Sequence, residues 1–305
     1  MEGRLTMSKK LLFIVNPRAG RSKSRAPLFD AAEIYSEAGY LITIRSTRRR
    51  GDATRLVERY GADYDLIVCH GGDGTLNETV NGLMHIPAES RPQVSYLPGG
   101  STNDFAASLS ISPEPALAAQ SAMRLRPRAL DVGRFNDRHF VYVASFGAFT
   151  KASYSVPQDV KNVFGHFAYI LEGVRDLDTL RPYRVHLTGD GEVFDDPDGY
   201  LFGAVSNSTS IAGLMKLSPG DVSFDDGEFE LLLVRVPKTA AQLQSLTRAL
   251  MYQDYGDPQG LIFRHVKRVT AETDENLSWT LDGEFAPGAP RVDISIENSG
   301  IELLL

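Results

Sequence analysis

The sequence predicts two domains of different texture: an N-terminal α/β domain on a parallel sheet, then a domain of antiparallel strands. Three observations predict this. The chain has 305 residues, about twice a typical domain of roughly 150 residues. Up to Asp131, short apolar runs alternate with helical periods, as in a parallel sheet covered by helices. Beyond Asp131 the runs shorten and are separated by Gly, Asp, Asn and Pro, the texture of an antiparallel sandwich or barrel.

Leu11 to Val15, Leu41 to Ile44, Leu66 to Cys69 and Val94 to Leu97 are apolar or β-branched runs bounded by turn residues, and read as parallel strands. Leu28 to Ala38, Asp52 to Tyr60, Thr75 to Met84 and Pro115 to Leu125 repeat apolar residues at helical spacing, as Leu76, Val80, Leu83 and Met84 illustrate. In the second half, Phe140 to Ala144, Tyr183 to Leu187, Leu201 to Ser206, Phe229 to Val236, Leu261 to Phe263, Val266 to Ala271 and Ser278 to Leu281 read as strands. Two helices interrupt them, at about Val160 to Leu177 and about Ala240 to Met251. Ile301 to Leu305 is expected to return to the first domain as an edge strand. The expected domains are therefore 1–131, joined by 298–305, and 132–297.

Composition narrows the function classes. Lys plus Arg number 32 against 39 Asp plus Glu, a formal charge of −7, which disfavours nucleic-acid binding through a broad basic face. Local basic clusters exist: Arg45 with Arg48-Arg49-Arg50, the Arg124/Arg126/Arg128 triplet, and Arg264-His265 with Lys267-Arg268. Each can touch anionic lipid headgroups, and each reads more simply as a solvated face. The single cysteine, Cys69, excludes an intrachain disulfide framework and fits a reducing compartment. No apolar stretch approaches the roughly 20 residues that span a bilayer, and Met1 to Lys10 lacks the apolar core of a signal peptide, so a cytoplasmic, at most peripheral, protein is expected.

Four turns fall at the carboxyl ends of the predicted parallel strands, where open α/β sheets bind ligands. Asn16-Pro17-Arg18-Ala19-Gly20 follows the first and supplies an amide and a guanidinium, the latter a fork of donors suited to phosphate. Thr47 follows the second. His70-Gly71-Gly72-Asp73-Gly74-Thr75-Leu76-Asn77-Glu78 follows the third. Its glycines let the backbone approach a ligand closely, and the next helix offers N–H groups to anionic oxygens, so the turn suits a polyphosphate. Pro98-Gly99-Gly100-Ser101-Thr102-Asn103-Asp104-Phe105 follows the fourth; Ser101 or Thr102 can cap a helix or hold a phosphate oxygen, and Asp104 can reach a metal through water. His70 reads as a strand-end residue and Cys69 as core.

In the second domain, Asp225-Asp226-Gly227 and Asp282-Gly283-Glu284 are first of all hairpin signals. The second pair also sets two carboxylates two residues apart on a tight turn, a spacing that serves a base together with a metal or nucleotide contact. The P-loop, dinucleotide, protein-kinase, H-E-x-x-H and G-x-S-x-G signatures are all missing, and the six histidines and one cysteine have no zinc-ligand spacing.

Asn16-Pro-Arg-Ala-Gly20, Gly71-Gly-Asp-Gly-Thr-Leu-Asn-Glu78 with Val80-Asn-Gly82, Pro98-Gly-Gly-Ser-Thr-Asn-Asp-Phe105 and Leu281-Asp-Gly-Glu284 occur in one order along nearly the whole chain. In this the sequence resembles the diacylglycerol kinase catalytic-domain family, which includes soluble bacterial lipid kinases and sphingosine kinases. The resemblance implies a Rossmann-like nucleotide-binding α/β domain of the NAD kinase/diacylglycerol kinase type, a C-terminal β-sandwich for the lipid, and an active site in the cleft between them. It implies ATP and Mg²⁺ as cofactors. Asn16, Arg18 and Thr47 would border the nucleotide, Gly71, Gly72, Asp73, Gly74 and Thr75 would cradle phosphates, and Asn77 and Glu78 would support that loop or the nucleotide. Ser101 stands where the family usually has Thr and retains the hydroxyl. Asp73, Asp104 and Asp131 match carboxylates of a water-bound Mg²⁺ network. Asp282 matches the proposed general base, Glu284 its companion, and Asp73 is a rival base. Asp226, with backbone oxygens of Ser223 and Glu228, matches a structural Mg²⁺ site.

The activity so implied is ATP-dependent phosphorylation of a lipid hydroxyl, with diacylglycerol the first choice of acceptor. The partner would be a lipid at the inner face of a membrane, met by peripheral contact, and a homodimer is compatible with the pattern. Two rivals stand beside it. An NAD kinase shares the Gly-Gly-Asp-Gly-Thr turn, although Asn77-Glu78 and Asn103-Asp104 favour the lipid-kinase wording. A nonenzymatic lipid-binding or regulatory protein on the same fold is opposed by the retention of every candidate carboxylate.

Overall fold

The computed structural model describes residues 9–19, 26–147, 180–211, 215–217, 222–252, 254, 260–274 and 277–305. Two compact units make up the chain: Met1–Leu130 with Ser299–Leu305, and Asp131–Asn298. The predicted helix at Val160 to Leu177 and residue Gly20 lie outside the described residues.

In the first unit, β1 (Lys9–Val15), β2 (Tyr40–Ser46), β3 (Leu66–Gly71) and β4 (Gln93–Pro98) are parallel and run in the order β2-β1-β3-β4. The end of the last strand, β18 (Arg291–Leu304), adds to β4 in parallel, with Leu303 opposite Val94. Leu11, Leu12, Phe13 and Ile14 are all buried, as are Leu66 to Cys69, because both sheet faces are covered; this is why those runs are continuously apolar rather than alternating. Helices α1 (Ala26–Glu37) and α5 (Pro115–Arg124) pack together over Leu11, Phe13, Leu66, Val68 and Leu97. Helices α2 (Asp52–Tyr60) and α3 (Asp73–Met84) pack on each other. Gly82 permits that approach, since a Cβ there would lie 2.7 Å from the Val57 Cβ and 2.8 Å from the Thr54 carbonyl oxygen. A short helix, α4 (Asp104–Ser108), follows the second glycine turn.

The second unit is a β-sandwich. One antiparallel sheet has the order β14-β13-β10-β7-β16-β17, built from β7 (Val143–Gly147), β10 (Tyr200–Ser206), β13 (Phe229–Arg235), β14 (Leu261–Val266), β16 (Trp279–Leu281) and β17 (Glu284–Ala286). The other runs from the first part of β18 through β15 (Arg268–Glu272) and β8 (His186–Gly189) to β9 (Glu192–Phe194), with β5 (Arg128–Phe135) paired to β18 and to β6 (Arg138–Phe140). A small ribbon, β11 (Ser210–Ile211) with β12 (Met215–Lys216), and helix α6 (Ala240–Tyr252) complete it. Trp279 anchors the core, edge-on to Phe135 and Phe146 with ring centroids 5.2 and 4.9 Å away.

Several elements depart from the sequence reading for physical reasons. The run from Phe140 to Ala144 is not one strand: β6 ends at Phe140 and β7 begins at Val143, because the Val141 and Tyr142 N–H groups bond the Asp282 carboxylate instead of a neighbouring strand. Helix α3 begins at Asp73, two residues before the expected start, so the turn shrinks to Gly72 alone. The final strand is fourteen residues long rather than the expected five, its polar stretch Glu297-Asn298-Ser299 concealing a continuous element. Tyr183 makes only an isolated bridge to Tyr200, and β8 starts three residues later. Asp226-Gly227 is not a two-residue hairpin, since β13, which follows it, pairs with β10 and β14.

Candidate active site

The strand order places β1 between β2 and β3, so the connection from β1 leaves to one side and that from β2 crosses back to the other. Ligands of open α/β sheets bind at such a switch point, outside the carboxyl ends of the strands. Asn16 and Gly72 are the residues at that point. Asn16 donates its backbone N–H to the His70 carbonyl at 2.9 Å and its side-chain amide to Thr75 Oγ1 at 3.0 Å, and accepts the Arg18 N–H at 3.0 Å. The loop after β1 is thereby fixed to the first turn of α3, while the Arg18 side chain stays exposed. Thr47, half-buried, donates its N–H to the Val15 carbonyl at 2.9 Å and so lies beside the same strand end.

The two glycine turns meet backbone to backbone. A Cβ on Gly100 would lie 2.6 Å from the Gly72 Cα, and the Gly99 N–H donates to the Gly71 carbonyl at 2.7 Å. Only hydrogen at both positions permits this approach. Gly72 gives α3 no side-chain cap, so that helix presents its N-terminal partial charge where the turns converge. Asn103, in the left-handed region at φ 53°, closes the second turn by accepting the Gly100 N–H at 2.8 Å and donating to the Gly100 carbonyl at 3.2 Å. Ser101 and Thr102 are exposed at the tip of that turn, and neither caps α4.

Asp73 caps it instead. Its carboxylate accepts the Asp104 N–H at 3.1 Å and, at the long limit of 3.4 Å, the Phe105 N–H. Burial raises its affinity for a proton, while N–H bonds from Asp104, Phe105, Asp73 itself and Asn103 act in the opposite direction. The Tyr96 hydroxyl donates to the Gly71 carbonyl at 3.1 Å from beneath the turns. Burial, followed by the charges of Asp73, Cys69 and Asp104, pushes that phenol far above its ordinary range. Cys69 itself, fully buried, is pushed up to about 12 by desolvation and is inert core. His70 packs its ring against Gly99 and bonds the Leu97 carbonyl at 3.1 Å through Nδ1; burial lowers its proton affinity.

Glu78 faces α2. Its two carboxylate oxygens accept the Gly51 N–H at 2.7 Å and the Ala53 N–H at 3.2 Å, and its carbonyl accepts the Thr54 hydroxyl at 2.8 Å. It is the trans cap of a helix whose own N-cap, Gly51, has no side chain to offer. Asn77 receives the Asn81 amide on its carbonyl and side-chain oxygens, at 2.8 and 3.1 Å.

In the second unit, Asp282 and Gly283 form the two-residue turn between β16 and β17, with φ of 50° and 79° and Leu281 opposite Glu284. Two positive φ angles are the type I′ combination that Asp-Gly favours. The Asp282 carboxylate, in a residue 3% exposed, accepts three consecutive N–H bonds, from Val141 at 2.7 Å, Tyr142 at 2.9 Å and Val143 at 3.1 Å. Glu284 is half-buried at the start of β17. Asp131, 1% exposed, accepts the Gly227 N–H at 2.7 Å, and its carbonyl accepts the Asn207 amide at 3.1 Å. It therefore falls in the second unit, whereas Asp73 and Asp104 belong to the first. Ser223, Asp226 and Glu228 occupy one loop, where Asp226 Oδ1 accepts the Glu228 N–H at 3.0 Å.

Tyr96 and Asn207 were not singled out by the sequence. A tyrosine inside an otherwise apolar parallel strand signals a hydroxyl that needs a partner. Asn207 carries no such signal; its buried Oδ1 has no protein partner among the described residues, and its N–H donates to the Tyr142 carbonyl at 2.9 Å, beside the Asp282 anchor.

Among the described residues, no group of three or more His, Cys, Asp or Glu side chains forms a ready metal cage. The hard oxygens of Asp73 and Asp104 instead suit Mg²⁺, which is characteristically held by one or two carboxylates with water and substrate phosphates completing its shell.

Residues 10–135 match the diacylglycerol kinase catalytic domain, and residues 143–304 match the YegS C-terminal NAD kinase β-sandwich-like domain. The chain is 35% identical over 284 residues to a diacylglycerol kinase of Bacillus subtilis, with 92% of each chain covered. It belongs to the diacylglycerol kinase family. A Staphylococcus aureus diacylglycerol kinase is 32% identical across 95% of this chain and 91% of its own. A crystal structure from Bacillus anthracis superposes with a TM-score of 0.80 at 26% identity, covering 98% of this chain and 97% of that one. Family membership supports a kinase acting on an alcohol acceptor, and a kinase family implies ATP as a substrate. The two matched segments coincide with the α/β unit and the sandwich described above. Among the described residues, no helix is long and apolar enough to cross a membrane.

Proposed function

We propose that this protein transfers the γ-phosphate of ATP to the hydroxyl of a lipid, with diacylglycerol as acceptor and phosphatidic acid as product. The observation that carries the reading is the contact of the Gly72 and Gly100 turns at the β1/β3 switch point, bridged by the Asp73 carboxylate. Phosphoryl transfer needs little covalent chemistry from the protein and depends on positioning and electrostatic stabilisation. A rigid pair of backbone turns next to an uncapped helix start supplies both for the phosphates of ATP.

In this reading Asn16, Arg18 and Thr47 border the nucleotide, and Gly71 to Thr75 with Ser101 hold its phosphates. Asn77 stiffens the middle of α3 through Asn81, and Glu78 acts indirectly by holding the start of α2. Asp73 and Asp104, with Asp131 as the family resemblance implies, hold Mg²⁺ through water. When bound, Mg²⁺ offsets charge on the transferred group. Asp226, with the carbonyls of Ser223 and Glu228, offers the hard-oxygen donors of a structural Mg²⁺ site.

The acceptor hydroxyl is a poor nucleophile at neutral pH, and Asp282 accepts its proton as the oxygen attacks the γ-phosphorus. Three main-chain N–H bonds fix that carboxylate, so its part is to orient the hydroxyl as well as to take the proton. Glu284, two residues on, is its companion toward the nucleotide or metal. Asp73, at the start of α3 where the glycine turns meet, is assigned to loop and Mg²⁺ organisation, and proton abstraction is assigned to Asp282, the residue the family resemblance matches to the general base.

The test is phosphorylation by purified protein with labelled ATP and Mg²⁺, screened against diacylglycerol, phosphatidylglycerol, sphingoid bases, polyprenols and NAD, with lipids in mixed micelles. Labelled phosphatidic acid is the expected product. Labelling of NAD and of no lipid would overturn the proposal.

A further inference from the structure

The segment from Leu41 to Tyr60 carries six arginines, Arg45, Arg48, Arg49, Arg50, Arg55 and Arg59, against two carboxylates, Asp52 and Glu58, a surplus of four positive charges in a chain of net charge −7. All six arginines are exposed. A run of basic residues on one solvated strand or helix would need no explanation. Here β2, α2 and the loop between them bring four of the six, Arg45, Arg48, Arg55 and Arg59, to the walls of a single open cleft of about 550 Å³, which Ile44, Asp52 and Tyr60 also line.

The acids offset only part of it. Asp52, in the cleft wall, accepts the Arg48 and Arg49 N–H groups at 2.7 and 3.0 Å and pairs with the Arg55 guanidinium and, at 3.6 Å, with that of Arg49. Glu58 is paired with His85 at 3.0 Å. Arg45 and Arg59 both lie over the Tyr60 ring, at 5.4 and 5.1 Å from its centroid, so their guanidinium groups are held at the cleft rather than dispersed in solvent. Two large aliphatic side chains of β2 stand in water, Ile44 at 54% exposure on the cleft wall and Leu41 at 60% further along the same edge strand.

We infer that the β2/α2 cleft docks on the surface of an anionic phospholipid bilayer, its arginines pairing with headgroup phosphates and Leu41 and Ile44 dipping among the acyl chains. Charge complementarity selects that occupant. A protein of net charge −7 is repelled by an anionic bilayer on much of its surface, so a region with a surplus of four positive charges biases its orientation as well as its affinity. Arginine forks fit phosphate bidentately, and the adjoining aliphatics have no role toward a dissolved anion. Docking gives the proposed lipid kinase a way to reach an acceptor held in a membrane; the inference rests on that reading for its purpose, but its measurement uses no ATP and no acceptor.

The test is cosedimentation of the full chain with sucrose-loaded vesicles of phosphatidylcholine, with and without phosphatidylglycerol. Wild-type protein is expected to partition onto the anionic vesicles only, and to be released as salt shortens the screening length to about 3 Å. The doubly substituted Arg45→Gln/Arg59→Gln protein is expected to partition roughly 30-fold more weakly, about fivefold per arginine near the surface, with an unchanged unfolding midpoint. Leu41→Ser, which keeps every charge, should weaken binding while leaving its salt dependence intact. Equal partitioning of wild type and the double variant would overturn the inference, as would binding that ignores phosphatidylglycerol or no binding to any vesicle. Binding of free tripolyphosphate without binding of anionic vesicles would also overturn it, identifying a site for dissolved anions. Loss of vesicle binding with retained labelling of a water-soluble short-chain acceptor would separate docking from catalysis.

Discussion

Replacing Asp282 with Asn tests the architecture and the chemistry of the second unit together, and the structure sets the size of each effect. The two carboxylate oxygens divide three donors: Oδ2 accepts Val141 N–H, and Oδ1 accepts Tyr142 and Val143 N–H. In asparagine one oxygen keeps two donors, and an NH₂ group is brought against the third. An orphaned buried N–H costs about 1–3 kcal/mol, and the two surviving bonds lose their charge assistance, about 1 kcal/mol each. The sum is roughly 3–5 kcal/mol, which for a unit of this size corresponds to about 6–20 °C in unfolding midpoint. The backbone itself tolerates the change, because Asn accepts the left-handed φ of 50° as readily as Asp. Calorimetry measures the first effect. Turnover with labelled ATP, run well below the lowered midpoint and on protein shown to be folded by near-ultraviolet circular dichroism, measures the second. We expect turnover to be lost while ATP affinity, measured by titration, changes by less than about tenfold, since the substitution removes transition-state rather than ground-state contacts. An unchanged midpoint would refute the three-donor anchor, and unchanged turnover in folded protein would refute Asp282 as the proton acceptor and redirect the assignment to Asp73.

Gly100→Ala drives a methyl group to within 2.6 Å of the Gly72 Cα; displacing the turns by about 1 Å should lower kcat/KM for ATP by roughly 100-fold, with the circular dichroism spectrum retained. Glu78→Ala strips the trans cap from α2 and should cost about 1–2 kcal/mol in chemical denaturation, with a change of less than about threefold in KM for ATP; a large KM effect without destabilisation would assign Glu78 to the nucleotide directly. His70 is half-buried, and the desolvation lowers its proton affinity from 6.5. The unfolded chain therefore binds the proton more tightly, and the stability His70 contributes is present above pH 6.5 and is lost as pH falls through the depressed folded-state value. His70→Phe keeps the ring over Gly99 and should flatten that stretch of the stability–pH curve; an unaltered slope would place the acid sensitivity elsewhere. In vesicle cosedimentation, Arg45→Gln/Arg59→Gln should separate membrane affinity from turnover of a soluble acceptor.

The parallel strands of the first unit were legible because burial on both faces leaves an uninterrupted apolar run, as in Leu66 to Cys69. The turns after β1, β3 and β4 were legible because glycine marks close backbone approach, although nothing in the sequence indicated that Gly72 and Gly100 approach each other. The second unit was harder to read. β9 and β17 are three residues long, too short to show a period. β5 begins at Arg128 in a basic stretch that gives no apolar signal of its own. The break between β6 and β7 depends on a carboxylate more than a hundred residues away.

That last case generalises to the motif carboxylates themselves. Asp73 caps α4, Glu78 caps α2, Asp131 holds the Gly227 turn, and Asp282 holds the 141–143 segment; each accepts main-chain N–H groups from a region remote in sequence. A spacing such as Asp-Gly-Glu reports the local turn with fidelity, since φ and hydrogen-bond geometry are decided by neighbours. It is silent about the partner, which is decided by tertiary approach. The same acidic side chain can therefore be required for folding and for chemistry, and loss of activity on its removal does not distinguish the two. A variant that keeps the charge while changing the reach of the carboxylate does so, and Asp73→Glu supplies one: an added methylene pushes the cap off the Asp104 N–H, now at 3.1 Å, yet leaves a charged oxygen near the turns. If Asp73 serves Mg²⁺ and phosphate, this variant should need more Mg²⁺ for half-maximal turnover, with kcat largely restored at saturation. If its whole contribution is the cap on α4, added Mg²⁺ should restore nothing, and stability and turnover should fall together.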